Sequence, residues 1–323
     1  MLCAQPPRIG ILEFYGVRKV PLSRIQKALG VKEGDPLPSS KGATEERLEA
    51  VPGVVRAHLE AVCCEDGKAV LFVGVEERLA QHSELRPAPE GGVSLPAEIV
   101  EAHQEFIESL ENAVRRGDVS EDLSAGHSLM ADPACHTAQE RFIGLAELHL
   151  AKLREVLKLS ADADQRVIAA DVIGYAPKKK LVVDDLQYAL QDSDDRVRNN
   201  ATRALRAFAV LAEKDPELGI QVSPTWFIEM LNSIVWTDRI KTLATLVVLT
   251  DTRKPEVLQQ IRERALDSIV EMARWKSLRH ALPAYILFGR IFGMPEEQIH
   301  ASWLSGKREE FITRALEALR RKR

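Results

Sequence analysis

The chain has 323 residues, of which 45% are hydrophobic and 28% charged, and a formal net charge of −4. That length accommodates two units, or one compact domain with an extended array, and the composition excludes a disulfide-stapled miniature scaffold, a disordered chain and a collagen-like one. The charge is uneven, with residues 1–80 neutral, residues 81–140 at −9 and residues 141–323 at +5, a surplus too dilute for phosphate neutralisation to dominate, so no nucleic-acid partner is expected.

At the start of the chain, Leu2, Cys3 and Ala4 followed by Gln5, Pro6 and Pro7 read like the end of a secretion signal, with a small residue at the cut site. Residues 8–78 then mix two periods. Arg8 to Tyr15 alternates as a strand closed by Gly16, and Val20 to Leu29 places Leu22, Ile25 and Leu29 on one helical face before Gly30. Gly34-Asp35-Pro36 is a turn, and Thr44 to Ala50 is a second short helix that Pro52-Gly53 breaks. Val54 to Val62 and Ala69 to Glu76 alternate across Glu65-Asp66-Gly67 as a hairpin. The order is β-α-α-β-β. Adjacent strand residues point to opposite faces, so Cys63 and Cys64 are not expected to pair with each other; a Cys63–Cys135 bond and free buried thiols both stay open.

This order, with Gly16-Val17-Arg18-Lys19-Val20, Gly34-Asp35-Pro36-Leu37, Arg47-Leu48, Val51-Pro52-Gly53-Val54 and Val73-Gly74-Val75-Glu76-Glu77, resembles the polypeptide-transport-associated (POTRA) domain. The resemblance implies a sheet edge that receives a partner strand by β-augmentation and a place in the bacterial envelope, facing the periplasm. The cytoplasm is the alternative location.

Residues 79–138 form an acidic connector, marked by Pro87, Pro89, Gly91-Gly92 and Pro96 and then one amphipathic helix to Arg116 with Ile99, His103, Phe106, Ile107 and Leu110 as its stripe. From residue 139 to 323 the pattern is helical and repeats itself. Asp162, Asp164, Arg166 and Val167 recur 30 residues later as Asp192, Asp194, Arg196 and Val197, and Asp195 to Arg198 is echoed 43 residues on by Asp238 to Lys241. A weaker copy places Leu278-Arg279-His280-Ala281 on the same frame. Asp194 to Leu205 resembles the HEAT repeat, which implies an α-solenoid of stacked helix pairs and a ladder in which Arg198 and Lys241 meet neighbouring acidic turns. The expected fold class is an α+β, POTRA-like N-terminal domain followed by a mostly α-helical, HEAT-like solenoid.

No catalytic residue, cofactor or small-molecule substrate is expected. The eight histidines show no metal-ligand spacing, Cys135-His136 stands alone, and no phosphate loop or nucleophile elbow occurs. Asp184-Asp185 and Asp194-Asp195 fit helix starts better than an acid–base pair. Trp226, Trp236 and Asp238 are of the kind some helical-repeat DNA glycosylases use, but the dilute charge argues against that enzyme, and core packing of the two tryptophans with an N-cap role for Asp238 is the simpler account. A HEAT-like chromophore lyase is a further enzymatic alternative, and a cytoplasmic HEAT-repeat regulator a non-enzymatic one. The favoured reading is an adaptor whose protein-binding face carries Asn199, Arg203 and Arg206, with frame-mates Thr242, Leu246 and Arg279, and whose partners are proteins. No run approaches the roughly 18 to 20 apolar residues of a membrane span.

Overall fold

Alternation over the first strand-like run yields strand β1 (Ile9–Tyr15), followed by helices α1 (Leu22–Leu29) and α2 (Lys41–Glu49) and strands β2 (Val54–Glu65) and β3 (Lys68–Glu77). The computed structural model describes residues 7–78 and 84–321; the leader-like Leu2 to Pro6 lie outside them. Gly30 closes α1 in the left-handed conformation, and the Ser40 side chain accepts the Ala43 N–H at the start of α2. The sheet order is β1-β3-β2, with β1 parallel and β2 antiparallel to β3.

The central strand β3 is buried on both faces from Ala69 to Val75. One face, Leu71, Val73 and Val75, packs with Ile25 and Leu29 of α1 and Leu48 of α2. The other carries Phe72, whose ring lies 5.1 Å from Trp236 and 4.9 Å from Trp275. Tyr15 lies across Gly74 and its hydroxyl donates to the Ile234 carbonyl at 2.6 Å. A Cβ on Gly74 would meet the Tyr15 ring at 2.6 Å, so this strand position needs a hydrogen side chain. Gly74→Val is therefore expected to cost about 1–3 kcal/mol in urea unfolding, from overpacking. Gly42→Ala, at a helical glycine with open space around it, is the neutral or stabilising control.

Carboxylates finish the exposed backbone of this sheet. Glu77 accepts the N–H groups of Arg18, Lys19 and Val20 at 2.7–3.0 Å. Burial opposes its charge, but those donors hold the carboxyl below its ordinary range. On the outer edge of β2, the N–H groups of Ala57 and Leu59 donate to Glu49 and Glu45 of α2 at 3.0 and 2.7 Å.

The remaining elements are α3 (Ala97–Arg116), a two-strand ribbon of β4 (Glu121–Asp122) and β5 (Leu129–Met130), α4 (Pro133–Leu148), α5 (Leu150–Leu159), α6 (Ala163–Val172), α7 (Val183–Ala189) and α8 (Asp195–Lys214). They are followed by α9 (Thr225–Met230), α10 (Trp236–Leu249), α11 (Pro255–Ala273), α12 (Leu278–Ile291), α13 (Glu296–Leu304) and α14 (Arg308–Arg320). The fold is α+β, a small N-terminal sheet followed by many helices. No described helix is long and apolar enough to cross a membrane.

Two compact units divide the chain: residues 1–83 with 228–243 and 252–323, and residues 84–227 with 244–251. This differs from the expected boundaries at 8–78, 79–138 and 139–323. The physical reason in the first unit is β3, which is apolar on both sides, so the sheet needs α11, α12 and the start of α10 as well as its own two helices. In the second unit the connector is not a free tether. Arg86 N–H donates to Gln191 O at 2.8 Å, Gly91 bridges Leu159 and Ala161 at 2.9 and 2.8 Å, and α3 packs on α4 and α6 through Ile99, His103 and Phe106.

The cysteine reading also changes. Cys63 and Cys64 are disulfide-bonded to each other, and Cys135 is a free, buried thiol. The pairing register of β2 breaks between Val62 and Glu65, so the two cysteines leave the regular pleat on which the opposite-face expectation relied.

One turn recurs along the helical part. Ser160, Asp192 and Ser233 each accept, through the side chain, the N–H two residues ahead. Their carbonyls each accept from an arginine six residues ahead: Arg166, Arg198 and Arg239, at 2.9, 2.8 and 2.6 Å. Arg166 also holds the Asp192 carboxylate with two bonds of 2.8 and 2.9 Å. The equivalent residues are thus Arg166, Arg198 and Arg239, not the Arg196 and Lys241 of the sequence frame, because the turn and not the helix sets the register. Asp238 is likewise not the cap of α10; Ser233 caps the turn and donates its hydroxyl to Asp238 at 2.7 Å.

Candidate functional site

Helix α8 begins where Asp194 caps it, and its apolar residues Val197, Ala201, Leu205 and Phe208 are fully buried. That packing turns Asn199, Arg203 and Arg206 to a common, half-buried face. The Asn199 Oδ1 and Arg206 Nε atoms are buried with no hydrogen-bond partner. Thr242 and Leu246 do not join a free face, since both are completely buried. Arg279 is exposed but engaged, with Glu65 at 3.3 Å and the Cys63 carbonyl at 3.3 Å. Of the six expected residues, the three on α8 are brought together; Thr242 and Arg279 belong to the other compact unit.

Arg203 is the centre of a polar network that periodicity did not reveal. Its Nε and Nη2 donate to Glu121 at 3.1 and 3.0 Å, and Nη2 also donates to the Ser128 hydroxyl at 2.8 Å. Ser128 donates to Glu121 at 2.6 Å, and the Tyr175 hydroxyl donates to the Ser128 carbonyl at 2.9 Å. Gln139 links the two sides, donating to Tyr175 Oη and accepting from Met130 N–H. Deeper in, Asp171 Oδ2 lies 3.2 Å from His103 Nε2.

A pocket with room for about one water molecule opens among His127, Ser128, Asp171, Gly174, Tyr175, Arg203 and Ala204. Burial opposes charge throughout it. Asp171 nevertheless stays below the ordinary carboxyl range because His103 and Arg203 face it, and Asp171 and Glu121 in turn keep Arg203 charged. Lys179, buried beside the pocket, donates to the Gly174 carbonyl at 2.9 Å and sits 3.2 Å from His127 Nδ1. Burial brings its amine down to about 7, and burial together with the neighbouring lysine brings His127 to about 4. Among the described residues no carboxylate pairs with Lys179.

Other constellations carry less. Ser277 Oγ lies 2.6 Å from His280 Nδ1 and also bonds Glu65, but both partners meet the same imidazole nitrogen and Ser277 is fully buried, which is not a nucleophile relay. Among the described residues no group of three or more His, Cys, Asp or Glu could hold a metal ion. Sequence reasoning missed Asp171 and Tyr175, although an acid inside the apolar run Val167 to Val172 was the legible signal. It also missed Glu121, Ser128 and Lys179, which reach Arg203 and the pocket only through tertiary folding. No family model matches the chain, and no curated protein matches it.

Proposed function

We propose that this chain is a non-enzymatic adaptor of helical-repeat type, related in architecture to HEAT arrays, that binds a polypeptide along the Asn199–Arg203–Arg206 face of α8. The observation that carries it is the recurrent arginine-braced turn at Ser160, Asp192 and Ser233, since a device that fixes each helix to the preceding turn in the same way is what a serial array of helix pairs requires. The unfilled hydrogen-bonding capacity of Asn199 Oδ1 and Arg206 Nε supports α8 as the binding face. Strand capture by the N-terminal sheet has less support, because two edge N–H groups of β2 are already taken by Glu45 and Glu49. The bacterial envelope stays the proposed location, on the POTRA resemblance of residues 8–78, and fractionation of cells expressing the gene tests it.

A photo-crosslinking side chain placed at position 199 or 206, in the organism's own cells, should trap a polypeptide. The same group at the exposed Leu218 should not. Asn199→Ala combined with Arg206→Ala should cut the yield about tenfold while leaving the melting temperature within about 2 °C. Equal trapping at all three positions would remove α8 as the binding face.

A further inference from the structure

The segment 118–131 lies over the polar pocket, and its character differs from that of the surface beneath. It contributes Asp118, Glu121 and Asp122, whereas α8 contributes Arg203 and Lys214. Arg203 holds both Glu121 and Ser128, while the Asp122 carboxyl is held low first by Ser124 within the segment and to a lesser degree by the charge of Lys214. The pairing within the segment is short: Glu121 opposite Met130 and Asp122 opposite Leu129. A ribbon that small is marginal by itself. Of its three buried positions, Gly126 and Ser128 carry almost no apolar surface, and the one apolar side chain, Met130, lies at its far end. Charge and hydrogen bonds therefore hold the segment between Ser120 and Ser128, and a chain bringing the same groups could replace each of them.

We propose that the groove formed by Gly174, Tyr175, Lys179 and the Arg203–Leu211 stretch of α8 is a docking surface for an acidic peptide segment of a partner protein, and that the chain's own residues 118–131 are its resident occupant. This rests on the adaptor reading and names the chemistry of its partner. The partner must supply a carboxylate to Arg203, with a hydroxyl beside it, because a neutral chain would leave the guanidinium with fewer acceptors in a half-buried site. The resident segment acts at the high effective concentration of a tethered ligand, so it excludes weak competitors and admits those that bind better. Gly126 is the latch. Its φ is +73°, and a Cβ there would meet Leu211 Cδ2 at 2.6 Å and Lys179 Cε at 3.3 Å.

The test uses a fluorescein-labelled peptide of residues 118–131 and the full-length protein, read by anisotropy. Gly126→Val should dislodge the resident segment without altering Arg203, and the variant should bind the peptide about tenfold more tightly than the wild type. Adding Arg203→Ala to that variant, or replacing Glu121 of the peptide by glutamine, should each reverse the gain, and higher salt should weaken binding. A folded Gly126→Val protein that binds the peptide no better than the wild type overturns the proposal. Hydrogen exchange on the unaltered protein decides the matter if that variant misfolds. The Gly126 and Ala131 amides, bonded within the segment to Leu123 and Ser120, should exchange at least about tenfold faster than those of Ala201 to Ala207. Equal rates would make the segment a fixed part of the fold and end the proposal. Crosslinking at positions 199 and 206 without any peptide binding would leave the adaptor reading standing and this inference refuted; failure of both would remove the two together.

Discussion

Arg166→Ala is expected to lower the unfolding free energy by about 3–5 kcal/mol, the largest single-residue loss in the helical part. Only 1% of Arg166 is exposed. Its guanidinium holds the Asp192 carboxylate through two bonds and the Ser160 and Ala161 carbonyls through a third nitrogen at 2.9 and 3.3 Å. Removing it strands a buried carboxylate and two carbonyls at the turn before α6, and the cavity adds to the loss. Asp192→Asn should cost less, because an amide still accepts from the arginine and from the Asp194 N–H. The pair replaced together by Met and Leu should recover part of the loss, since two buried charges then leave at once. Urea unfolding of the wild type, Arg166→Ala, Asp192→Asn and the protein carrying both of those substitutions gives the coupling energy. Coupling below about 0.5 kcal/mol would show the ion pair to be incidental and the turn to be held by backbone alone.

The order of the small elements was readable because each obeys a local rule: Gly16 and Gly30 end β1 and α1, and Pro52-Gly53 separates α2 from β2. What covers the sheet was not readable in the same way. Alternation was expected in Ala69 to Val75, yet the run is apolar at nearly every position, which is the mark of a strand buried on both faces. That sign pointed to a second covering layer, but not to Trp236, Trp275 and His280 as its members, because a pairing over some two hundred residues leaves no trace in local periodicity. The recurrent turn was legible in composition and misplaced in register. Asp-rich turns offer several carboxylates within a few residues, and only the hydrogen bonds decide which one is equivalent to Ser160 and Ser233. Arg203 was found from its helical face alone, whereas its partners Glu121 and Ser128 sit in a segment whose composition read as a loop. An ion pair across such a distance is written in the fold and not in the neighbouring residues.

The buried amine of Lys179 gives the second large effect, and its direction follows from the proton count. In the unfolded chain this lysine holds its proton up to the ordinary value of 10.5, whereas burial in the fold brings the amine down to about 7. Between those values the unfolded state carries the extra proton, so stability rises with pH. The contribution is complete above about 10.5, declines as the pH falls, and is absent below about 7. Comparing wild type with Lys179→Met at pH 6.5 and pH 9.5 cancels the titration of every other group that the substitution leaves alone. The wild type should gain about 2–3 kcal/mol on the variant between the two conditions, with the methionine protein less dependent on pH. Charged or neutral, the amine can donate to the Gly174 carbonyl, so the gain reports the charge and not the loss of that contact. Parallel pH profiles for the two proteins would mean that Lys179 reaches water in solution, and that the pocket beside it is open to solvent on the time scale of unfolding.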